Sequence, residues 1–114
     1  MIVKHEKTKK ILGSKVKYAS SFTERLVGLM FIKEMIEFDG LVIDPCNSIH
    51  NCFVRFPIDA IFLDKHNCII KILRNFKPWR FSGIYFKASK VIEFKAGTVE
   101  KTVNVGDYLE VSGV

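Results

Sequence analysis

The sequence predicts an α+β fold, mainly antiparallel β: a small, partly closed, barrel-like sheet with one short helix in the N-terminal half. Three observations carry this. Short runs rich in Val, Ile, Phe and Tyr recur along the chain, separated by turn chemistry such as Asp64-Lys65-His66-Asn67 and Val105-Gly106-Asp107. Only one stretch, from Ser21 to Met30, combines a helix start signal with apolar residues at i, i+3, i+4 spacing. The 114 residues, 48% of them hydrophobic, suffice for one core and predict a single domain over 1–114.

The elements follow in order. Lys7–Leu12 and Lys15–Ala19 flank Gly13-Ser14, which predicts a hairpin; Val16 and Tyr18 alternate with lysines as on a half-buried strand. Ser21 and Glu24 form a capping-box pattern. Behind it, Leu26, Leu29 and Met30 predict an apolar helix face laid on the sheet, with Gly28 weakening the helix. Leu41-Val42-Ile43 is a short strand ending at Asp44-Pro45, and Ile49–Val54 is expected to be the next. Ile58–Leu63 is nearly all apolar, as a strand covered on both faces requires. It pairs in expectation with Cys68–Leu73 across the 64–67 turn. Phe76–Gly83 reads as an irregular loop, and Lys90–Lys95 and Tyr108–Val111 as the last strands.

Charge is segregated. Residues 65–92 hold seven basic groups (Lys65, Lys71, Arg74, Lys77, Arg80, Lys87 and Lys90) and no acid, so this segment carries the whole excess behind the net charge of +6. Phe76, Trp79, Phe81, Tyr85 and Phe86 interleave with these cations. Aromatics stack on rings while Lys and Arg hold anions, so the segment is the candidate binding surface; solvated charges around a core-plugging Trp79 are the structural alternative. The N-terminus is charged almost at once, without an apolar leader region, which predicts a cytoplasmic chain with no secretory signal and no membrane span. Cys46, Cys52 and Cys68 are odd in number and lack CxxC spacing, which reads as free thiols.

Six stretches stand in order along the chain: Gly28-Leu29-Met30 after Glu24-Arg25; the run Gly40 to His50; Arg55-Phe56-Pro57-Ile58-Asp59 continuing to Asp64; Pro78-Trp79-Arg80; Val91 to Gly97; and Gly106-Asp107. Taken together they resemble the domain-of-unknown-function 192 family. Their order holds over residues 20–112. The resemblance implies a compact, mainly β fold found in bacteria and archaea, and no activity. The chain departs from the family pattern at Asn51-Cys52-Phe53-Val54, where relatives carry an aromatic or Thr and then an aromatic and Met, and at Ile32-Lys33.

Candidate chemistry is sparse. Cys46, His50 and Cys52 share one face if residues 46–52 are extended, but C-x3-H-x-C is not a zinc spacing, so no metal and no cofactor are expected. A Cys–His nucleophile is disfavoured because strand neighbours two apart stand ~6.6 Å from each other. Arg55 and Asp59 flank Pro57, whose missing donor suggests a bend; they form either an ion pair or an Arg fork for a carboxylate or phosphate that Asp59 orients. The primary expectation is a non-catalytic binding or accessory module for an anionic ligand (a small molecule, polysaccharide or nucleic acid) held by Arg55, Asp59, Trp79 and Arg80. Secondary candidates are His50, Glu93 and Asp107. With Asp59 they define the alternative, a small hydrolase or lyase, although no named reaction motif is present. A third class is an interaction domain that pairs through a sheet edge, for instance as a homodimer.

Overall fold

The computed structural model describes residues 1–113, so the last residue of the predicted 1–114 domain lies outside it. Eight strands and one helix follow in the order β1 (Ile2–His5), β2 (Ile11–Gly13), β3 (Val16–Ala19), α1 (Phe22–Val27), β4 (Gly40–Ile43), β5 (Ile58–Leu63), β6 (Ile69–Phe76), β7 (Lys90–Lys95) and β8 (Leu109–Ser112). The fold is α+β and mainly β. A five-stranded sheet has the order β3-β4-β7-β5-β6, and a three-stranded sheet the order β2-β1-β8. Ile69 N–H donates to Asp107 O and Leu109 N–H to Asn67 O, so the sheets meet at one corner without closing into a barrel.

The predicted hairpin around Gly13-Ser14 does not form. β2 pairs antiparallel with β1, and β3 leaves for the other sheet, where it pairs in parallel with β4. Asp39 anchors the divergence: its carboxylate accepts from the amides of Ser14 and Lys15. Gly13 sits so close to Val16 that a Cβ there would stand 2.7 Å from its Cγ2. β1 escaped the sequence reading because Lys4, His5 and Glu6 mask its apolar positions. In the fold, Val3 and His5 alternate inward and both are fully buried.

β7 is central, between β4 and β5, and both its faces are covered. Its alternation therefore divides the core in two. Ile92 and Phe94 join Ile61, Leu63, Val42 and Val3 between the sheets. Val91 points the other way, with Ile58, Ala60 and Phe62, beneath α1 and the irregular segments. Every residue of β5 is buried, as the apolar run predicted. Asp59 is the polar exception, and it accepts hydrogen bonds from Asn75 N–H at Oδ1 and from Gly97 and Val99 N–H at Oδ2, all at 2.9 Å. Arg74 clamps the same loop, donating to the carbonyls of Val99, Glu100 and Val103.

α1 opens on the full capping box of Ser21 and Glu24. It ends at Val27, a turn earlier than the apolar spacing suggested. Gly28 takes φ 49°, ψ −120°, a conformation that favours glycine, and its N–H caps Glu24 O. Leu29 drops into the core from beyond the helix, while Leu26 stays exposed. The expected strand at Ile49–Val54 is instead a coil held at His50 by a single bridge to Phe81. No helix among the described residues is long and apolar enough to cross a membrane.

Candidate functional site

Two of the concave regions among the described residues hold the candidate side chains. The first is an aromatic shelf. Phe31, Phe53 and Trp79 come from three separate loops and pack in a row, Phe31–Phe53 tilted with centroids 5.1 Å apart and Phe53–Trp79 edge to face at 4.7 Å. All three are exposed, Trp79 at 60%. All three also hold left-handed backbone, with φ of 67°, 62° and 65°. Such a conformation in a bulky residue costs on the order of 1–3 kcal/mol and persists only where surrounding contacts impose it.

Backbone and side-chain hydrogen bonds impose it here. Phe31 N–H donates to Phe53 O, and Trp79 N–H donates to Asn51 O. Asn51 is fully buried; its own N–H donates to Arg80 O, and its side-chain amide donates to the carbonyls of Phe56 and Phe76. Asn51 thus ties the 50s loop to the 76–80 loop and sets the shelf. With Val54, Arg55 and Pro78 the three rings line an open cleft of about 590 Å³.

The predicted binding quartet is only half assembled. Arg55 and Trp79 share the shelf. Arg80 lines a neighbouring groove with Arg74, Asn75 and Lys77. Asp59 belongs to neither, because both its oxygens are taken by buried amides; it neither pairs with Arg55 nor orients it. Among the described residues the side chains of Arg55, Lys77 and Arg80 make no ion pair or hydrogen bond, whereas Arg74 and Lys90 of the basic run are engaged within the protein. Phe31 and Phe53 were missed by sequence reasoning, since no local pattern relates two phenylalanines in different loops.

The second region is a cleft between α1, residues 45–50 and β7. Its inner part, about 50 Å³, is lined by Arg25, Gly28, Cys46, His50 and Glu93 among apolar side chains. An outer part of about 320 Å³ shares Arg25, Leu26, Cys46 and His50 with it. Glu93 is 4% exposed and makes no hydrogen bond among the described residues, and burial pushes its pKa up to about 8. Among the described residues Glu93 forms no ion pair, because a central strand covered on both sides has no solvated face. His50 accepts the Cys52 N–H at Nδ1, so its neutral ring carries the proton on Nε2.

Cys46 donates its S–H to Ser48 O. Burial raises the thiol's pKa, with the charge of Glu93 adding to it, against the lowering contributed by the Ser48 bond and Arg25. Iodoacetamide at neutral pH should therefore alkylate Cys46 more slowly than a small free thiol, read by mass spectrometry. Alkylation at or above the free-thiol rate would overturn that assignment. Asp107 lies elsewhere, accepting from Asn104 N–H and paired with buried His5 at 2.8 Å; that bond to His5, first of several contacts, holds its carboxyl below the usual range. The hydrolase set of His50, Asp59, Glu93 and Asp107 is thus dispersed, with only His50 and Glu93 lining one cavity.

The sequence matches the domain-of-unknown-function 192 family, described as an uncharacterised ACR, over residues 2–111. The chain belongs to this family. It is 35% identical over 101 residues to a UPF0127 protein of Pyrococcus furiosus, covering 83% of this chain and 84% of the relative. It is 34% identical over 105 residues to one of Pyrococcus horikoshii, covering 88% of each. A crystal structure of a protein of unknown function from Novosphingobium aromaticivorans shares the fold, with a TM-score of 0.83 at 20% identity over 97% of this chain and 84% of that one. So does a candidate transcription regulator from Sinorhizobium meliloti, at 0.77 and 24% identity over 96% and 89%. The family and these structural relatives establish the architecture and supply no specific function.

Proposed function

We propose that the protein is a non-catalytic binding module whose aromatic shelf takes an anionic ligand with a flat ring face, a nucleotide or a short single-stranded nucleic acid. The observation that carries this is the row of three exposed aromatic residues, each in left-handed backbone, beside an unpaired arginine. Exposed apolar surface and backbone strain both oppose folding, and their coincidence in one place is what a stacking site requires. Arg55 supplies a cation at the shelf edge. Lys77 and Arg80 extend positive charge into the adjoining groove, so a strand leaving the shelf meets further phosphate contacts.

Trp79 is the only tryptophan, so its fluorescence reports the shelf directly. Oligothymidylate is expected to quench it saturably, with affinity falling steeply as salt rises. Trp79→Ala, followed by polarisation of a labelled oligonucleotide, is expected to weaken binding by about 1–3 kcal/mol, roughly five- to 150-fold. Arg55→Ala should lower the salt slope by about one. Quenching by an oligouronate in place of the oligonucleotide would reassign the ligand to an acidic polysaccharide. Quenching by neither would sink the shelf as a site.

A further inference from the structure

The inner cleft beneath α1 is built by groups that folding alone does not require. Glu93 is a carboxyl placed in an apolar core with no hydrogen-bond or ion-pair partner among the described residues. Arg25 offers one Nη to Pro45 O, yet its Nε–H is buried and has no acceptor. An orphaned buried donor costs on the order of 1–3 kcal/mol. His50 has its acceptor nitrogen occupied, which leaves Nε2–H as its donor. Among the described residues, the three polar residues around one small cavity therefore each hold a donor without a protein acceptor.

We propose that this cleft is a second binding site, for a small monocarboxylate whose head group accepts hydrogen bonds from Arg25, His50 and Glu93. The chemistry selects this class. A single guanidinium balances a single negative charge, which favours a carboxylate over a phosphate dianion. The inner volume of about 50 Å³ admits a head group of a few heavy atoms. Leu29, Ile43, Ile49 and Val54 present apolar walls for a short alkyl tail, and the wider outer cleft past Leu26 gives it room to extend.

The pH behaviour follows from the groups that face Glu93. α1 contributes Arg25, the 46–50 segment contributes Cys46 and His50, and β4 contributes only apolar side chains on this face. Asp59 of β5 lies on the opposite face of the sheet, bound to its amides. Below a pKa of about 8 Glu93 is neutral and donates to the ligand; above it Glu93 ionises and repels an anion.

The test is an amide NMR titration of the full chain with sodium acetate and sodium butyrate, with sodium chloride and inorganic phosphate as comparisons. Saturable shifts at Gly28, Cys46 and His50 are expected, with butyrate tighter than acetate and binding falling about tenfold per pH unit above 8. Arg25→Ala should weaken binding tenfold or more. Glu93→Gln keeps a neutral donor, so it should bind at neutral pH and lose the alkaline fall. A merely structural Glu93 would not move that pH profile. Absent or unsaturable shifts with both carboxylates, equal shifts with chloride, or preferential saturation by phosphate would each overturn the assignment.

Discussion

Replacing Asp59 with Ala is expected to destabilise the fold by on the order of 4 kcal/mol. The carboxylate is 1% exposed and is the acceptor for three amides, those of Asn75, Gly97 and Val99. Hydrogen bonds to a charged acceptor contribute about 1.5–3 kcal/mol each, and truncation leaves their donors unpaired. The loss is concentrated where it matters for packing. Val99 belongs to the core between the sheets, and the 97–103 loop it anchors is held otherwise by Arg74. Asp59→Asn should also be costly, because one oxygen becomes an NH2 that faces donors. Urea unfolding followed by circular dichroism measures both. A loss below about 1 kcal/mol for the Ala variant would show that the three bonds do not hold the loop.

Glu93→Gln is expected to act in the opposite direction and to depend on pH. The folded pKa of about 8 lies above the ordinary value of 4.5, so in the intervening range the folded state holds a proton that the unfolded state has released. Stability contributed by this group is therefore fully present below 4.5, falls as pH rises towards 8, and levels off above it. Wild-type protein should lose roughly 3–4 kcal/mol between about pH 5 and pH 8 from this residue alone. Gln does not titrate, so the variant should show no such loss and should gain on wild type progressively across the range. Denaturant midpoints taken at several pH values settle it. A stability difference between the two proteins that stays constant with pH would mean that Glu93 is not held neutral in the folded state.

These two carboxylates also show how far residue order alone reaches. Both stood out in the sequence as acids within apolar runs, and both were weighed for surface roles or acid–base chemistry. Their actual environments depend on partners from elsewhere in the chain. Asp59 meets amides 16, 38 and 40 residues away. Glu93 meets a cavity made by α1 and the 45–50 segment. The shelf follows the same logic. Trp79 and Arg55 were identifiable from composition, because a lone tryptophan amid cations is conspicuous. Phe31, Phe53 and the buried Asn51 that sets their loops were not, because a left-handed φ leaves no signature in a phenylalanine.

By itself the sequence determined which segments become regular structure wherever the cause is local. The Ser21–Glu24 capping box starts the helix, the all-apolar run at Ile58–Leu63 makes a strand buried on both faces, and the Asp64–Asn67 turn joins β5 to β6. It also determined family membership, through motifs whose spacing survives over most of the chain. Only the tertiary structure decided which strands pair. Val16–Ala19 carries the same alternation whether it closes a hairpin with β2 or runs parallel to β4, since a period of two reports that one face is buried and not which neighbour buries it. The sites were decided at that same level. A donor, a ring or a carboxyl acquires its chemistry from what packs beside it, and those neighbours are brought together by long-range strand pairing.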